Sequence, residues 1–178
     1  MESKVKLFGH PIHPMLIVLP LGLLSAAVVF DIVYLITDED AFSSVAFWNI
    51  AAGVVGGLGA AVFGAWDWFH IPNDTRAKRI GLLHGGGNVV VVVLFSLSWL
   101  LRLGQEGYEP GVLAYALSFG GLGLAAVTGW LGGELVDRLG VGVDQGANLN
   151  APSSLSGLPA TTEAVSSERP ASPTAGDS

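Results

Sequence analysis

Cysteine is absent from the 178-residue chain, which excludes disulfides, thiolate metal sites and cysteine nucleophiles. Charge is scarce. Asp, Glu, Lys and Arg make up 13% of the residues, about half the ~25% of an ordinary soluble domain. With 51% hydrophobic residues gathered in long blocks, an ordinary soluble globular domain and a disordered chain are both excluded. Basic residues are scarcer still: 8 Lys and Arg against 15 Asp and Glu leave a net charge of −7. No basic footprint exists, so no nucleic-acid partner is expected. The chain shows no catalytic triad, phosphate loop or dinucleotide fingerprint; Gly85-Gly86-Gly87 follows no strand and reads as a packing feature.

What is present is apolar length. Four blocks run over about 14–36, 45–69, 80–101 and 112–136, each longer than the ~20 helical residues that cross a hydrocarbon core about 30 Å thick. Asp31, Asp67 and Glu134 are the charges inside them, and the third block has none. Continuous apolarity argues against the alternating segments of a membrane barrel, and helices satisfy their own backbone groups in lipid. The short connections 37–44, 70–79 and 102–111 make successive helices antiparallel. The expected architecture is an all-α integral membrane protein: a segment 1–13, an antiparallel four-helix transmembrane bundle over 14–143, and a tail. Residues 148–178, rich in Ala, Ser, Pro and Thr, are expected to form a disordered cytoplasmic tail.

Lys4, Lys6, Arg76, Lys78, Arg79 and Arg138 fall on one side and only Arg102 on the other. The asymmetry predicts an inner-membrane protein with both termini cytoplasmic. Tyr34, Trp48, Trp99 and Tyr115 would mark the outer interface, and Phe8, Trp66, Trp68 and Trp130 the inner one. The first block, about 22 residues long, exceeds the 7–15 of a signal-peptide core and is read as retained.

Small residues recur at four-residue spacing in two ridges of helix two (Ala52, Gly56, Ala60, Gly64; Gly53, Gly57, Ala61, Ala65) and one of helix four (Gly121, Ala125, Gly129, Gly133). In lipid such ridges let backbones approach closely. Intramolecular packing is the first reading, a homodimer seam the second. Pro20 removes the bond to the Leu16 carbonyl, so helix one is expected to kink there.

The candidate chemistry lies at the inner end. His10 and His13 precede helix one, His84 and Asn88 lie one turn apart on helix three, Asp67 ends helix two, and Glu134 ends helix four with Arg138 at i+4 as its expected partner. Folding brings these groups to one depth, where polar side chains are costly unless they face the interior or water. His10, His13, His84, Asp67 and Glu134 together are candidate ligands for a divalent metal. His13 and His84 on separate helices are candidate axial ligands of a haem b iron. Histidines there could also pass protons. A plain alternative is that the cluster only locks helix ends, in a structural or partner-binding module. At the outer end, Asp31 and Asn49 match in depth and are expected to hydrogen-bond. His70, beside Pro72, is read as solvated.

The order of these motifs is familiar. Gly9-His10-Pro11-Ile12-His13-Pro14, Pro20-Leu21-Gly22, Asp67, Arg76 to Arg79, Leu83-His84-Gly85 with Asn88, Gly129-Trp130-Leu131-Gly132-Gly133-Glu134-Leu135 and Gly140-Val141-Gly142-Val143 resemble the bacterial predicted membrane proteins of the domain of unknown function 2231 family. The resemblance covers residues 9–143. It implies a four-helix inner-membrane protein without an established activity. Relatives fused to electron-transfer domains imply a redox or haem-linked role and a redox partner protein, with membrane lipid as the surround. In that family the Gly-Gly-Glu motif often continues with Tyr and, two residues on, His; here those positions are Asp137 and Leu139.

Overall fold

The structure, a computed structural model, describes residues 1–161. Four long helices follow one another: α1 (Ile12–Thr37), α2 (Asp40–Phe69), α3 (Arg76–Arg102) and α4 (Val112–Gly133). All four are long and apolar enough to cross a membrane. α1 is interrupted at Ile17, between Ile12–Leu16 and Val18–Thr37. The cause is Pro20, which has no N–H to give the Leu16 carbonyl. α4 continues as a single π-helical turn, Glu134–Arg138.

α1, α2 and α3 begin two to five residues ahead of their apolar blocks, and the added first turns of α2 and α3 carry polar residues. α1 starts at Ile12, so His13 stands inside its first turn rather than ahead of the helix. α2 opens on Asp40, whose carboxylate suits the positive end of the helix dipole. Thr75 caps α3, its side chain accepting from the Lys78 backbone N–H at 3.1 Å. α1 closes at Asp38 in the left-handed region (φ 58°), leaving a connection of only two residues. The link from α3 to α4 holds a short 3₁₀ turn, Glu106–Tyr108.

α1 packs along α2 and α3 along α4, and contacts between α2 and α3 and between α1 and α4 close the ring. The apolar core is Leu24, Ala27, Val28, Ala46, Ile50, Val91 and Phe95. Around it the outer surface is also apolar, with Val55, Val62, Leu82 and Val127 among many exposed side chains, as lipid contact requires. The fully buried polar side chains Asp31, Arg102, Ser43, Ser98 and Ser118 point inward instead. Glycine sets the helix spacing: a Cβ on Gly53 would stand 2.6 Å from Leu24, and one on Gly121 2.8 Å from Phe95. Only part of the α4 ridge packs within the chain: added Cβ atoms at Gly129 and Gly133 would meet nothing within 4 Å.

The N-terminal segment and the residues after α4 cap one end of the bundle, here the proximal end. Lys6–Leu7 (β1) and His10–Pro11 (β2) form a hairpin whose turn residues Phe8 and Gly9 both have positive φ. The N-terminal ammonium donates to Gly140 O at 2.7 Å, and Gly142 N–H returns a bond to Met1 O at 2.8 Å. Lys6 pairs with Glu2 at 3.0 Å and with Asp144. The Asp144 carboxylate raises the pKa of Lys6, with Glu2 adding to it. The Gln145 N–H and Lys6 lower that of Glu2. Residues 148–161 carry a 3₁₀ turn, Ser154–Ser156, and a bond from Asn148 Nδ2 to Ala160 O at 3.0 Å, where a featureless tail is expected. Residues 162–178, the rest of that expected tail, lie outside the described residues.

Candidate functional site

Of the five ligand candidates at the proximal end, the structure brings two together. The imidazoles of His13 on α1 and His84 on α3 face each other with ring centroids 6.4 Å apart and planes at 89°. His13 Nδ1 lies 2.9 Å from Ala60 O on α2. His84 Nδ1 lies 2.8 Å from Thr128 O on α4. A carbonyl only accepts, so each Nδ1 donates, and in the neutral ring it is Nε2 that holds the lone pair.

The rings fit because their neighbours lack side chains. A Cβ on Gly64 would stand 2.8 Å from the His13 ring, and one on Gly132 3.0 Å from the His84 ring. Asn88 supports the second ring. Its amide donates to His84 O at 2.9 Å and approaches His84 Nε2 at 3.3 Å. Its Oδ1 accepts from the Thr128 hydroxyl at 3.0 Å.

The other three candidates have separate duties. His10 sits in β2, its Nε2 3.2 Å from the Ser154 hydroxyl. Asp67 accepts from the Ser3 hydroxyl at 2.7 Å and the Lys4 N–H at 2.9 Å, holding the N-terminal segment to the end of α2. Glu134 pairs with Arg76 at 2.6 Å, not with Arg138. Residues 134–138 form a π turn, which breaks the i, i+4 alignment that the expected pair needs, and the start of α3 brings Arg76 alongside. The expectation of a five-ligand metal site is therefore corrected: among the described residues, no group of three or more His, Cys, Asp or Glu side chains could hold a metal ion. His70 Nδ1 meets Trp66 O one turn back at 2.8 Å on an exposed ring, matching its solvated reading.

The distal end holds a second polar constellation. Arg102 binds Asp31 through two parallel bonds, 2.6 Å and 2.7 Å, with both side chains fully buried. Ser98 accepts from Arg102 at 3.2 Å, and the Ser118 hydroxyl donates to Asp31 at 3.2 Å. The expected Asp31–Asn49 bond does not form, because the carboxylate is already taken by a guanidinium. Arg102 is the functional residue that the apolar blocks leave outside, at the start of the 102–111 connection. α3 continues through it, and a signal was present: Val91, Phe95, Ser98 and Arg102 fall on one helical face. The one acid inside the spans at that end and its one base are expected to meet, since unpaired charges in lipid are costly.

The two constellations are far apart. Eighteen residues separate His13 from Asp31 and His84 from Arg102, about 27 Å of helix. Leu24, Val91 and Phe95 of the apolar core lie between them.

Comparisons with curated proteins and with solved structures found no match. The family model described as a predicted membrane protein, domain of unknown function 2231, matches residues 9–145. The proximal histidine motif, the buried ion pair and all four spans fall inside that stretch, and the chain belongs to the DUF2231 family of predicted membrane proteins.

Proposed function

We propose that this membrane protein is a redox-linked component of the inner membrane that holds haem b through His13 and His84, with both termini in the cytoplasm. The observation that carries the reading is the facing imidazole pair, each ring fixed through Nδ1 so that Nε2 keeps its lone pair. A backbone carbonyl on the far nitrogen is what orients a metal-bound histidine. Two imidazoles suit the two axial positions of a haem iron, whereas a divalent ion held by protein alone asks for three or four ligands. The separation of His10, Asp67 and Glu134 from the pair thus favours haem over a bare ion. A soluble redox partner would approach from the proximal face. The orientation is supported by the basic residues of that end. Arg102, the lone basic residue on the other side, lies in a buried ion pair and leaves the outer connections without a free cation.

A second reading is that the histidines only lock helices. The Asn88 amide close to His84 Nε2 favours it, since that lone pair is then occupied. Proton or ion movement has less support, because the apolar core separates the polar ends. An absorption spectrum of the detergent-purified full chain, produced with haem supplied, separates them. The haem reading expects a stoichiometric Soret band that His13→Gln and His84→Gln abolish while helicity and elution volume are kept. A protein without that band, whose histidine variants lose stability alone, belongs to the second reading. Elemental analysis of the same sample reports any other metal.

A further inference from the structure

His13 and His84 are 71 residues apart, and so are Asp31 and Arg102. The coincidence extends through the bundle. At the same spacing Leu24 matches Phe95 and Ala27 matches Ser98, and all four are buried. Between α2 and α4 the spacing is 68 residues, where Ala46 matches Ala114, Ile50 matches Ser118, Gly53 matches Gly121 and Ala60 matches Thr128, every one buried.

Contacts repeat along with positions. His13 donates to Ala60 O, and His84 to Thr128 O, the equivalent carbonyl. The His13 ring rests on Gly64 and the His84 ring on Gly132; Leu24 rests on Gly53 and Phe95 on Gly121. Matched residues also meet each other, His13 against His84 and Asp31 against Arg102. Residues equivalent under a two-fold rotation can touch only where the axis passes between them, so both ends of the bundle mark one axis.

We propose that the chain is a fused pair of equivalent helical hairpins, α1–α2 and α3–α4, related by a pseudo-two-fold axis along the bundle, and that the haem iron proposed above sits on this axis, gripped by one equivalent imidazole from each hairpin. The second clause rests on the haem reading; the first stands without it. Membrane proteins built from parallel repeats place their sites at the repeat interface in this way. The two axial positions of a haem iron are likewise alike, so the ligand matches the symmetry of its holder. At the distal end the symmetry is broken by charge. Two identical hairpins would set like side chains against each other on the axis, and Asp31 facing Arg102 turns that repulsion into an attraction that pairs the first hairpin with the second.

The test exchanges equivalent residues in the full chain. Asp31→Arg with Arg102→Asp alone restores opposite charge but leaves each group beside the serine positioned for the other. Adding Ala27→Ser, Ser98→Ala, Ile50→Ser and Ser118→Ile moves the serines to the equivalent positions. Melting in detergent, followed by circular dichroism, is expected to rank the six-position exchange close to the parent, the charge exchange below it, and Asp31→Arg or Arg102→Asp lowest. A six-position exchange no more stable than the charge exchange would overturn the equivalence. With haem supplied, His13→Gln and His84→Gln are expected to lose the Soret band alike, and added imidazole together with haem to restore it in each. Unequal responses overturn the axial placement. If the exchange series holds while the parent binds no haem, the repeat stands and the haem reading falls.

Discussion

Replacing Asp31 by Asn tests the physical reading of the bundle most directly. The change is nearly isosteric and leaves helix propensity almost untouched, so its effect reports on charge. In the parent, two parallel hydrogen bonds of 2.6 Å and 2.7 Å join carboxylate and guanidinium at full burial. With charge centres about 4 Å apart and an effective dielectric near 20, their attraction is about 4 kcal/mol. Experience with buried pairs that lose one partner, ~3–5 kcal/mol, agrees. A guanidinium stays charged in proteins, so the positive charge remains after the substitution. The amide oxygen of the new side chain and the Ser98 hydroxyl remain as acceptors, but the opposite charge is gone and one of the two parallel bonds with it. The reciprocal change, Arg102→Met, is expected to be milder, because a carboxyl group has a neutral form within reach and a guanidinium does not. Asp31→Leu with Arg102→Met removes both charges and is expected to lie within ~1–2 kcal/mol of the parent, since apolar replacement of a whole buried pair is often neutral. Equilibrium unfolding in mixed detergent micelles, followed by far-ultraviolet circular dichroism, measures all three. An Asp31→Asn variant within about 1 kcal/mol of the parent would refute the reasoning, as would one milder than Arg102→Met, and interhelical polar contacts in lipid do average as little as ~0.6 kcal/mol.

Other expectations follow from the proximal end. Gly64→Ala and Gly132→Ala push a methyl group against the His13 and His84 rings. Each is expected to cost ~1–3 kcal/mol by overpacking, while Gly129→Ala, with open space around it, should melt like the parent. Glu134→Gln breaks a half-exposed pair with Arg76 and is expected to cost no more than ~1 kcal/mol; Arg138→Ala should leave the melting temperature unchanged, and an effect as large as that of Arg76→Ala would show that the pairing is misassigned. The terminal cap should depend on pH at both extremes. Glu2 titrates below its ordinary range, so its contribution is complete above that range and disappears as acid protonates it. Lys6 titrates above its ordinary value, so its contribution holds below that value and disappears in strong alkali. Amide exchange or limited proteolysis of residues 1–11 should reveal the loosening at both ends, with the helices still protected.

Much of the architecture was legible in the chain because lipid leaves few choices. Apolar runs longer than a bilayer is thick must be helices, and short connections must return the chain antiparallel. The four spans, the interruption ahead of Pro20 and the placing of His13 and His84 at one depth all follow from composition and spacing along one dimension. Depth, however, is a single coordinate. It could not say which residues at one level face each other, because that depends on how each helix is rotated about its own axis. The tertiary structure set those rotations. It sent Asp67 to the N-terminal segment and Glu134 to Arg76, and it seated two imidazoles on glycines of neighbouring helices. It also drew Arg102, which sequence alone left in a loop, into the interior against Asp31, because a charge in a low-dielectric medium settles where its opposite is within reach.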